Sequence, residues 1–128
     1  MTTVVYHNSD CGTSRNVVEI IRLSGREPVI IEYLKSGWTR PQLLGLFAVA
    51  GITPRDALRI KKSPAEELGL TDSKIDNEKL IDAMIANPIL VNRPIVCTPK
   101  GVRLCRPSEK VLEILEDSDV GNLLKDGN

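Results

Sequence analysis

The fold depends on residues 3–21, which read TVVYHNSDCGTSRNVVEII. Residues 3–6 are a short apolar run that predicts a buried strand. From about Thr13 or Ser14 the apolar residues recur every three or four positions, which predicts an amphipathic helix. Cys11 therefore lies between a strand and a helix, beside the free N–H groups of the helix N-terminus. These groups and the helix dipole favour negative charge, so a thiolate or a bound oxyanion would be stabilised there.

A second strand is predicted at residues 29–34, after Gly25 ends the helix. A strand, a helix and a strand form a βαβ unit, so the two strands should be parallel. Between about residues 38 and 87 the pattern predicts helices and no strand. Capping residues mark the starts of these helices: Thr39, Thr53, Ser63 and Asp76 or Asn77. We interpret this stretch as a helical insertion in a single domain, residues 1–128, because no linker flanks it.

Strands return after the insertion. Residues 94–98 and 102–105 predict a β-hairpin, and a last helix beginning at Pro107 should bury Val111, Leu112 and Leu115. From about residue 117 the chain is polar, and we expect it to fray. The order β-α-β, helical insertion, β-β-α predicts an α/β protein with a mixed sheet and a thioredoxin-like fold.

Composition excludes several classes of protein. The formal net charge of the 128 residues is zero, which argues against nucleic acid or an acidic membrane as a partner. No apolar run resembles a signal peptide or a membrane span. The three cysteines form no disulfide framework, so we expect reduced thiols and the cytoplasm. We also expect a monomer. One histidine, His7, and three scattered cysteines give no metal-ligand pattern, so we expect no metal site. The Gly-rich motifs of nucleotide-binding loops are absent from the sequence, and we expect no bound cofactor.

Cys11 is the best candidate for chemistry, because its polar neighbours cannot make an apolar pocket. Ser14 stands three residues after it, so this turn cannot form an internal disulfide, and oxidised Cys11 must react with another thiol. Cys97 and Cys105 are expected to be packing thiols in strands. Asp10 should raise the pKa of the Cys11 thiol, because a neighbouring carboxylate opposes its ionisation.

Arginines suggest an anion site. Arg93 and Arg106 flank the two ends of the hairpin, which places them on one rim of the sheet, and Arg59 follows a short helix of the insertion. A guanidinium suits a tetrahedral oxyanion through paired hydrogen bonds. Each arginine could instead be an ordinary surface residue. His7 could lower the pKa of Cys11 as a cation or orient the loop by hydrogen bonding.

Three motifs then carry a family resemblance: HNSDCGTSRN at residues 7–16, NRPIV at 92–96 and RLCRPSE at 103–109. In this order they strongly resemble the glutaredoxin-coupled arsenate reductases, from Val5 to about Leu115. The resemblance implies a thioredoxin-like fold and reduction of arsenate to arsenite with glutathione and glutaredoxin, in arsenical resistance and detoxification. It does not extend to Ser9-Asp10, where that family usually has Pro-Ala.

The resemblance also implies a role for each site residue. Cys11 corresponds to the nucleophile, which would form an arsenylated intermediate, and His7 to a histidine that affects its pKa. Pro94 resembles the cis-proline of thioredoxin-like folds. The implied substrate-binding residues are Arg59, Arg93 and Arg106 with Gly12, Thr13 and Ser14, the last hydrogen-bonding the thiolate.

Two other functions remain open at this point. The fold is shared by non-enzymatic regulatory or interaction proteins, although these typically carry a Cys-x-x-Cys switch that Ser14 excludes. A related reductase could act on another oxyanion or on a mixed disulfide.

Overall fold

The computed structural model describes residues 2–126, in which a four-stranded mixed sheet forms the centre of one compact unit. This unit comprises residues 2–32 and 93–126 of the described chain. Its strands are β1 (Val4–His7), β2 (Val29–Glu32), β3 (Ile95–Thr98) and β4 (Gly101–Leu104). They lie in the order β2-β1-β3-β4, with β1 parallel to β2 and β3 antiparallel to both β1 and β4. The predicted βαβ unit, hairpin and mixed sheet are confirmed.

Helix α1 (Gly12–Leu23) connects the two parallel strands and begins one or two residues earlier than predicted. It ends as expected near Gly25, which adopts a left-handed φ of 95°. The helix packs its apolar face on the sheet because valines and isoleucines alternate with polar residues at helical spacing. The resulting core contains Val5, Val17, Val18, Ile21, Val96, Cys105, Val111, Ile114 and Leu115.

The second compact unit is Tyr33–Asn92. It contains α2 (Tyr33–Ser36), α3 (Arg40–Ala50), α4 (Pro54–Ala57) and α5 (Asn77–Ala86), followed by a 3₁₀ turn at Pro88–Leu90. The predicted helix starts are confirmed at three capping residues, each of which accepts a backbone N–H of its helix: Thr39, Thr53 and Asp76. Strand β2 is shorter than predicted, because Tyr33 begins α2 and donates its hydroxyl proton to the Val91 carbonyl oxygen at 3.0 Å.

The helix predicted after Ser63 is wrong, because residues 61–75 form turns. The Ser63 hydroxyl does not cap a helix but donates to the Arg59 carbonyl oxygen at 2.5 Å. Arg55, which lies earlier in the chain, also hydrogen-bonds this segment. Its guanidinium donates to the carbonyl oxygens of Leu70, Asp72 and Ile75 at 2.5, 3.0 and 2.9 Å, and these bonds satisfy backbone groups that a helix would pair internally.

The C-terminal part of the chain also differs from the prediction. A 3₁₀ helix (Ser108–Ile114) replaces the expected α-helix, so its buried residues, Val111 and Ile114, are three apart. The predicted burial of Val111 and Leu115 is confirmed, whereas that of Leu112 is wrong because its side chain is exposed. A further helix, α6 (Asp117–Asp126), occupies the stretch that was expected to fray. Its Asp119 is buried and forms an ion pair with Arg26 at 3.1 Å, a contact that local composition cannot reveal.

None of the helices in the described residues is both long and apolar enough to cross a membrane. Across the same residues, no three histidine, cysteine, aspartate or glutamate side chains are grouped so that they could hold a metal ion.

Candidate active site

Cys11 occupies the N-cap of α1, just after β1 has ended and where the first helical N–H groups have no partner within the helix. Asn8 fixes the loop that carries it. The Asn8 carbonyl oxygen accepts the Cys11 N–H at 3.0 Å, and its side-chain oxygen accepts the Asp10 N–H at 2.9 Å. Cys11 is only 8% exposed, so its sulfur has little contact with water. Sequence analysis missed Asn8, although an asparagine just after a strand is a common signal of such a turn.

Two of the predicted arginines lie at this sulfur. The Arg106 Nη1 atom is 3.7 Å from Cys11 Sγ, and the Arg93 side chain also hydrogen-bonds the Cys11 sulfur. Arg106 Nη1 also donates a hydrogen bond to the Arg93 carbonyl oxygen at 2.9 Å, and this bond fixes the Arg106 side chain to the Arg93 backbone.

The register of the hairpin explains why these arginines meet. Ile95 of β3 pairs with Leu104 of β4, so the residues two positions outside this pair, Arg93 and Arg106, leave the sheet at the same end. The peptide bonds that precede Pro94 and Pro107 are both cis. The cis bond before Pro94 agrees with the family resemblance, whereas the cis bond before Pro107 was not predicted.

The pKa of Cys11 is the net result of opposing contributions. Burial acts to raise it, because an ion loses hydration in the protein interior. Hydrogen bonds from the Ser14 backbone and from the Arg93 and Arg106 side chains outweigh burial and lower the pKa from 9.0 to about 7. A substantial fraction of Cys11 is therefore thiolate at neutral pH, the form that acts as a nucleophile.

Asp10 is not one of the groups that contribute most to the pKa of Cys11. Its side chain is exposed, and the largest contributions come from burial and from the groups named above, so the effect expected of Asp10 stays a prediction. Water screens an exposed carboxylate, whereas the arginines act on the sulfur through direct hydrogen bonds.

His7 and Ser14 stabilise the loop that carries Cys11 through buried hydrogen bonds. His7 Nδ1 and the Ser14 hydroxyl are 2.7 Å apart, and the same hydroxyl accepts the Asn8 N–H at 3.2 Å. All three residues are buried. Burial lowers the pKa of His7, with Arg15 and Arg22 acting in the same direction against Glu32, so the neutral imidazole is favoured. This geometry favours the orienting role of His7 over the cationic one.

The other cysteines are poor nucleophiles. Burial raises the pKa of Cys105 to about 12, with a further contribution from Glu113, and its side chain belongs to the hydrophobic core. Burial likewise raises the pKa of Cys97. Both residues are free thiols, as is Cys11.

The structure thus brings together Cys11, Arg93, Arg106, Ser14 and His7, with Gly12 and Thr13 in the first turn of α1. Arg59 belongs to the second compact unit. There its backbone N–H donates to the Leu90 carbonyl oxygen at 2.7 Å, and its guanidinium donates to the Lys61 carbonyl oxygen at 2.9 Å and to Asn92 Oδ1 at 3.4 Å. Its part in the site remains a prediction.

Comparisons with known proteins show which family this chain is similar to. The sequence model of the ArsC family matches residues 6–114. The arsenate reductase ArsI2 of Synechocystis sp. is 60% identical over 123 residues, covering 96% of this chain and 88% of that protein. The arsenate reductase of Escherichia coli K12 is 55% identical over 122 residues, covering 95% and 86%. The solved structure of an arsenate reductase from Vibrio cholerae gives a TM-score of 0.84 at 36% identity, covering 90% of this chain and 98% of that one.

Proposed function

Because this chain belongs to the ArsC family and is an arsenate reductase, we propose that its Cys11 thiolate is the nucleophile that attacks arsenic. The observation that supports this role is the contact between Arg106 Nη1 and Cys11 Sγ at 3.7 Å, together with a pKa of Cys11 of about 7. The attack forms a sulfur–arsenic bond and displaces one arsenate oxygen as water, which leaves an arsenylated enzyme.

Arg93 and Arg106 are proposed to bind the arsenate oxygens. Their guanidinium groups neutralise the oxyanion and the charge that develops during attack, and being held by the protein they need little reorganisation. The N–H groups of Gly12, Thr13 and Ser14 at the start of α1 are proposed to bind the same anion. By resemblance to the family, Arg59 would be a third cationic ligand.

His7 is proposed to act through Ser14 rather than on the substrate. Its ring and the Ser14 hydroxyl form a buried hydrogen bond of 2.7 Å that fixes the first turn of α1. The Ser14 backbone is one of the groups that lower the pKa of Cys11. We therefore propose that Ser14 acts on the thiolate through its backbone, because its hydroxyl pairs with His7 and Asn8.

By resemblance to the family, the reductant is proposed to be glutathione. An external thiol is supported because Ser14 provides no second thiol and the pKa of both remaining cysteines is raised. The glutathione thiolate would attack the arsenylated enzyme, and glutaredoxin would complete the reduction by thiol–disulfide exchange. Overall, arsenic gains two electrons, two thiols are oxidised to one disulfide, and one arsenate oxygen leaves as water. A reaction that depends on glutathione and free thiols belongs in a reducing compartment, so we propose the cytoplasm.

A coupled assay tests this proposal. Arsenate, glutathione, glutaredoxin and NADPH-linked glutathione recycling are combined with the wild type, with Cys11→Ser, and with a matched Cys97→Ser control. We expect arsenate-dependent NADPH consumption in the wild type and in the control, and none with Cys11→Ser. Turnover by Cys11→Ser, or its loss in the control, would show that another thiol is the nucleophile. Omitting glutaredoxin should stop steady-state turnover, and full activity without it would overturn that part of the proposal.

A further inference from the structure

A cleft of about 250 Å³ lies beside α1, next to the candidate active site but on residues that the mechanism above does not use as arsenate ligands. It lies within the unit built on the sheet. Its apolar floor consists of buried Val18 and half-buried Ile30, and exposed charged side chains surround it. The lining residues are His7, Arg15, Val18, Glu19, Arg22 and Ile30.

The charged residues of this cleft form a row along the helix. Arg15, Glu19 and Arg22 are spaced by four and then three residues, so they follow one face of α1 with alternating sign. All three side chains are exposed. Arg22 is held in place by Glu27, whose carboxylate accepts from its Nε and Nη2 atoms at 3.2 and 2.9 Å.

The cleft is connected to the Cys11 loop at one end. Arg15 Nη1 donates to the Ser9 carbonyl oxygen at 2.8 Å, and its Nη2 atom would lie 3.7 Å from a Cβ placed on Gly12. His7, which lines the cleft, is hydrogen-bonded to Ser14 in the first turn below Cys11. A ligand in this cleft would therefore lie against the loop that carries the nucleophile.

From this arrangement, and resting on the function proposed above, we propose that the cleft binds glutathione and presents its thiol to the arsenylated Cys11. Glutathione carries a carboxylate at each end, and at its γ-glutamyl end an ammonium group on the same carbon as the carboxylate. Glu19 and Arg22, one helical turn apart, match this ammonium and carboxylate, and Arg15 matches the glycine carboxylate nearer Cys11.

The backbone spacing of the arginines is comparable with the length of the ligand. Arg22 follows Arg15 by seven positions of α-helix, a rise of about 10 Å. An extended tripeptide also spans about 10 Å. Glutathione is therefore long enough to lie along this stretch of α1, with its central cysteine over Val18 and the half-buried Ile30. To bind both ends of the ligand, the arginine side chains would turn toward the cleft from their present partners, the Ser9 carbonyl oxygen and Glu27.

Charge reversal at Arg22 gives the first test. Arg103→Glu is the matched control, because Arg103 is also a partly exposed arginine that pairs with a single glutamate, Glu113. Arg103 lies on β4, at the opposite edge of the sheet from β2, which lines the cleft. We expect Arg22→Glu to raise the KM for glutathione by about tenfold or more, because the variant loses one charge-assisted hydrogen bond to the ligand. The rate of Cys11 arsenylation in a single turnover without glutathione should stay unchanged. Equal KM values for wild type and Arg22→Glu, or a change confined to the KM for glutaredoxin, would overturn the proposal.

A second test uses direct binding and does not depend on arsenate. S-methylglutathione, which cannot react, is titrated into the wild type, Glu19→Gln and Arg22→Glu, and the amide NMR shifts of α1 are followed. An analogue that lacks the α-amino group, S-methylated glutaryl-cysteinyl-glycine, should lose its dependence on Glu19 but keep its dependence on Arg22. Shifts that map to the β3–β4 hairpin instead of α1 would place the ligand elsewhere. Binding in the cleft by a wild type that fails to reduce arsenate would refute the proposed function and leave the site standing.

Discussion

Arg106 and Cys11 are 95 positions apart in the chain, yet Nη1 of one lies 3.7 Å from Sγ of the other. The same nitrogen donates to the Arg93 carbonyl oxygen, so the position of the cation at the sulfur is determined by the hairpin backbone. A side chain held in this way is preorganised both to stabilise the thiolate and to bind the incoming oxyanion.

The thiolate itself should be detectable by its pH dependence. With a pKa of about 7, the rate of Cys11 alkylation by iodoacetamide should rise with pH to a midpoint near 7, and the midpoint should move toward 9.0 in the denatured protein. Mass spectrometry of the Cys11 peptide separates this reaction from that of Cys97 and Cys105. A midpoint near 9.0 in the folded protein would contradict the lowered pKa.

The same pKa difference predicts how stability depends on pH. Because the folded pKa of Cys11 lies below the unfolded one, ionisation adds to the free energy of unfolding as pH rises from about 7 to 9. The contribution is complete above the unfolded pKa and is lost as pH falls through the folded pKa. Urea unfolding of wild type and Cys11→Ser across this range measures it, and parallel curves for the two proteins would argue against it.

Replacement of Arg106 should affect both substrate binding and the thiolate. In Arg106→Ala we expect the pKa of Cys11 to rise and the KM for arsenate to increase about tenfold or more, because a hydrogen bond to a charged group contributes ~1.5–3 kcal/mol. Arg106→Lys should restore part of the pKa shift but less of the arsenate binding, since an ammonium lacks the planar fork. Steady-state kinetics and alkylation measure the two effects. Wild-type values for both in Arg106→Ala would mean that the anion site lies elsewhere.

Ser14 should contribute to stability as well as to the site. Ser14→Ala leaves the buried Asn8 N–H without its acceptor and breaks the hydrogen bond to His7, so we expect a loss of about 1–3 kcal/mol in the free energy of unfolding. Asn16→Ala is the matched control, because Asn16 is an exposed residue of the same helix. Urea denaturation compares the two variants, and equal stabilities would show that the Ser14 hydroxyl is energetically unimportant.

The ion pair between Arg26 and Asp119 should anchor helix α6. The Asp119 side chain is only 8% exposed and accepts from Arg26 Nε through both oxygens at 3.1 Å. We expect Asp119→Ala to cost about 1–3 kcal/mol of stability and to speed amide hydrogen exchange across α6. Asp117→Ala, at the exposed start of the same helix, should have little effect. Fast exchange of α6 in the wild type would favour the frayed tail expected from composition.

The local sequence pattern was sufficient to predict the strands of the sheet and most helix starts. Thr39 and Thr53 could be identified as N-caps because each accepts hydrogen bonds from residues within its own first turn. The turns at residues 61–75 could not be identified in this way. There Arg55, up to 20 positions away, supplies hydrogen bonds that override the capping signal of Ser63.

The candidate site shows the same division. The amino-acid sequence places Cys11 at a strand–helix junction and Arg93 and Arg106 at the two ends of one hairpin, because strand and helix periodicity and hairpin pairing are encoded by near neighbours. The ionisation of Cys11 and the pairing of Ser14 with His7 could not be predicted from near neighbours. Each depends on solvent exposure and on distances of a few ångströms between groups, which exist only once the chain has folded.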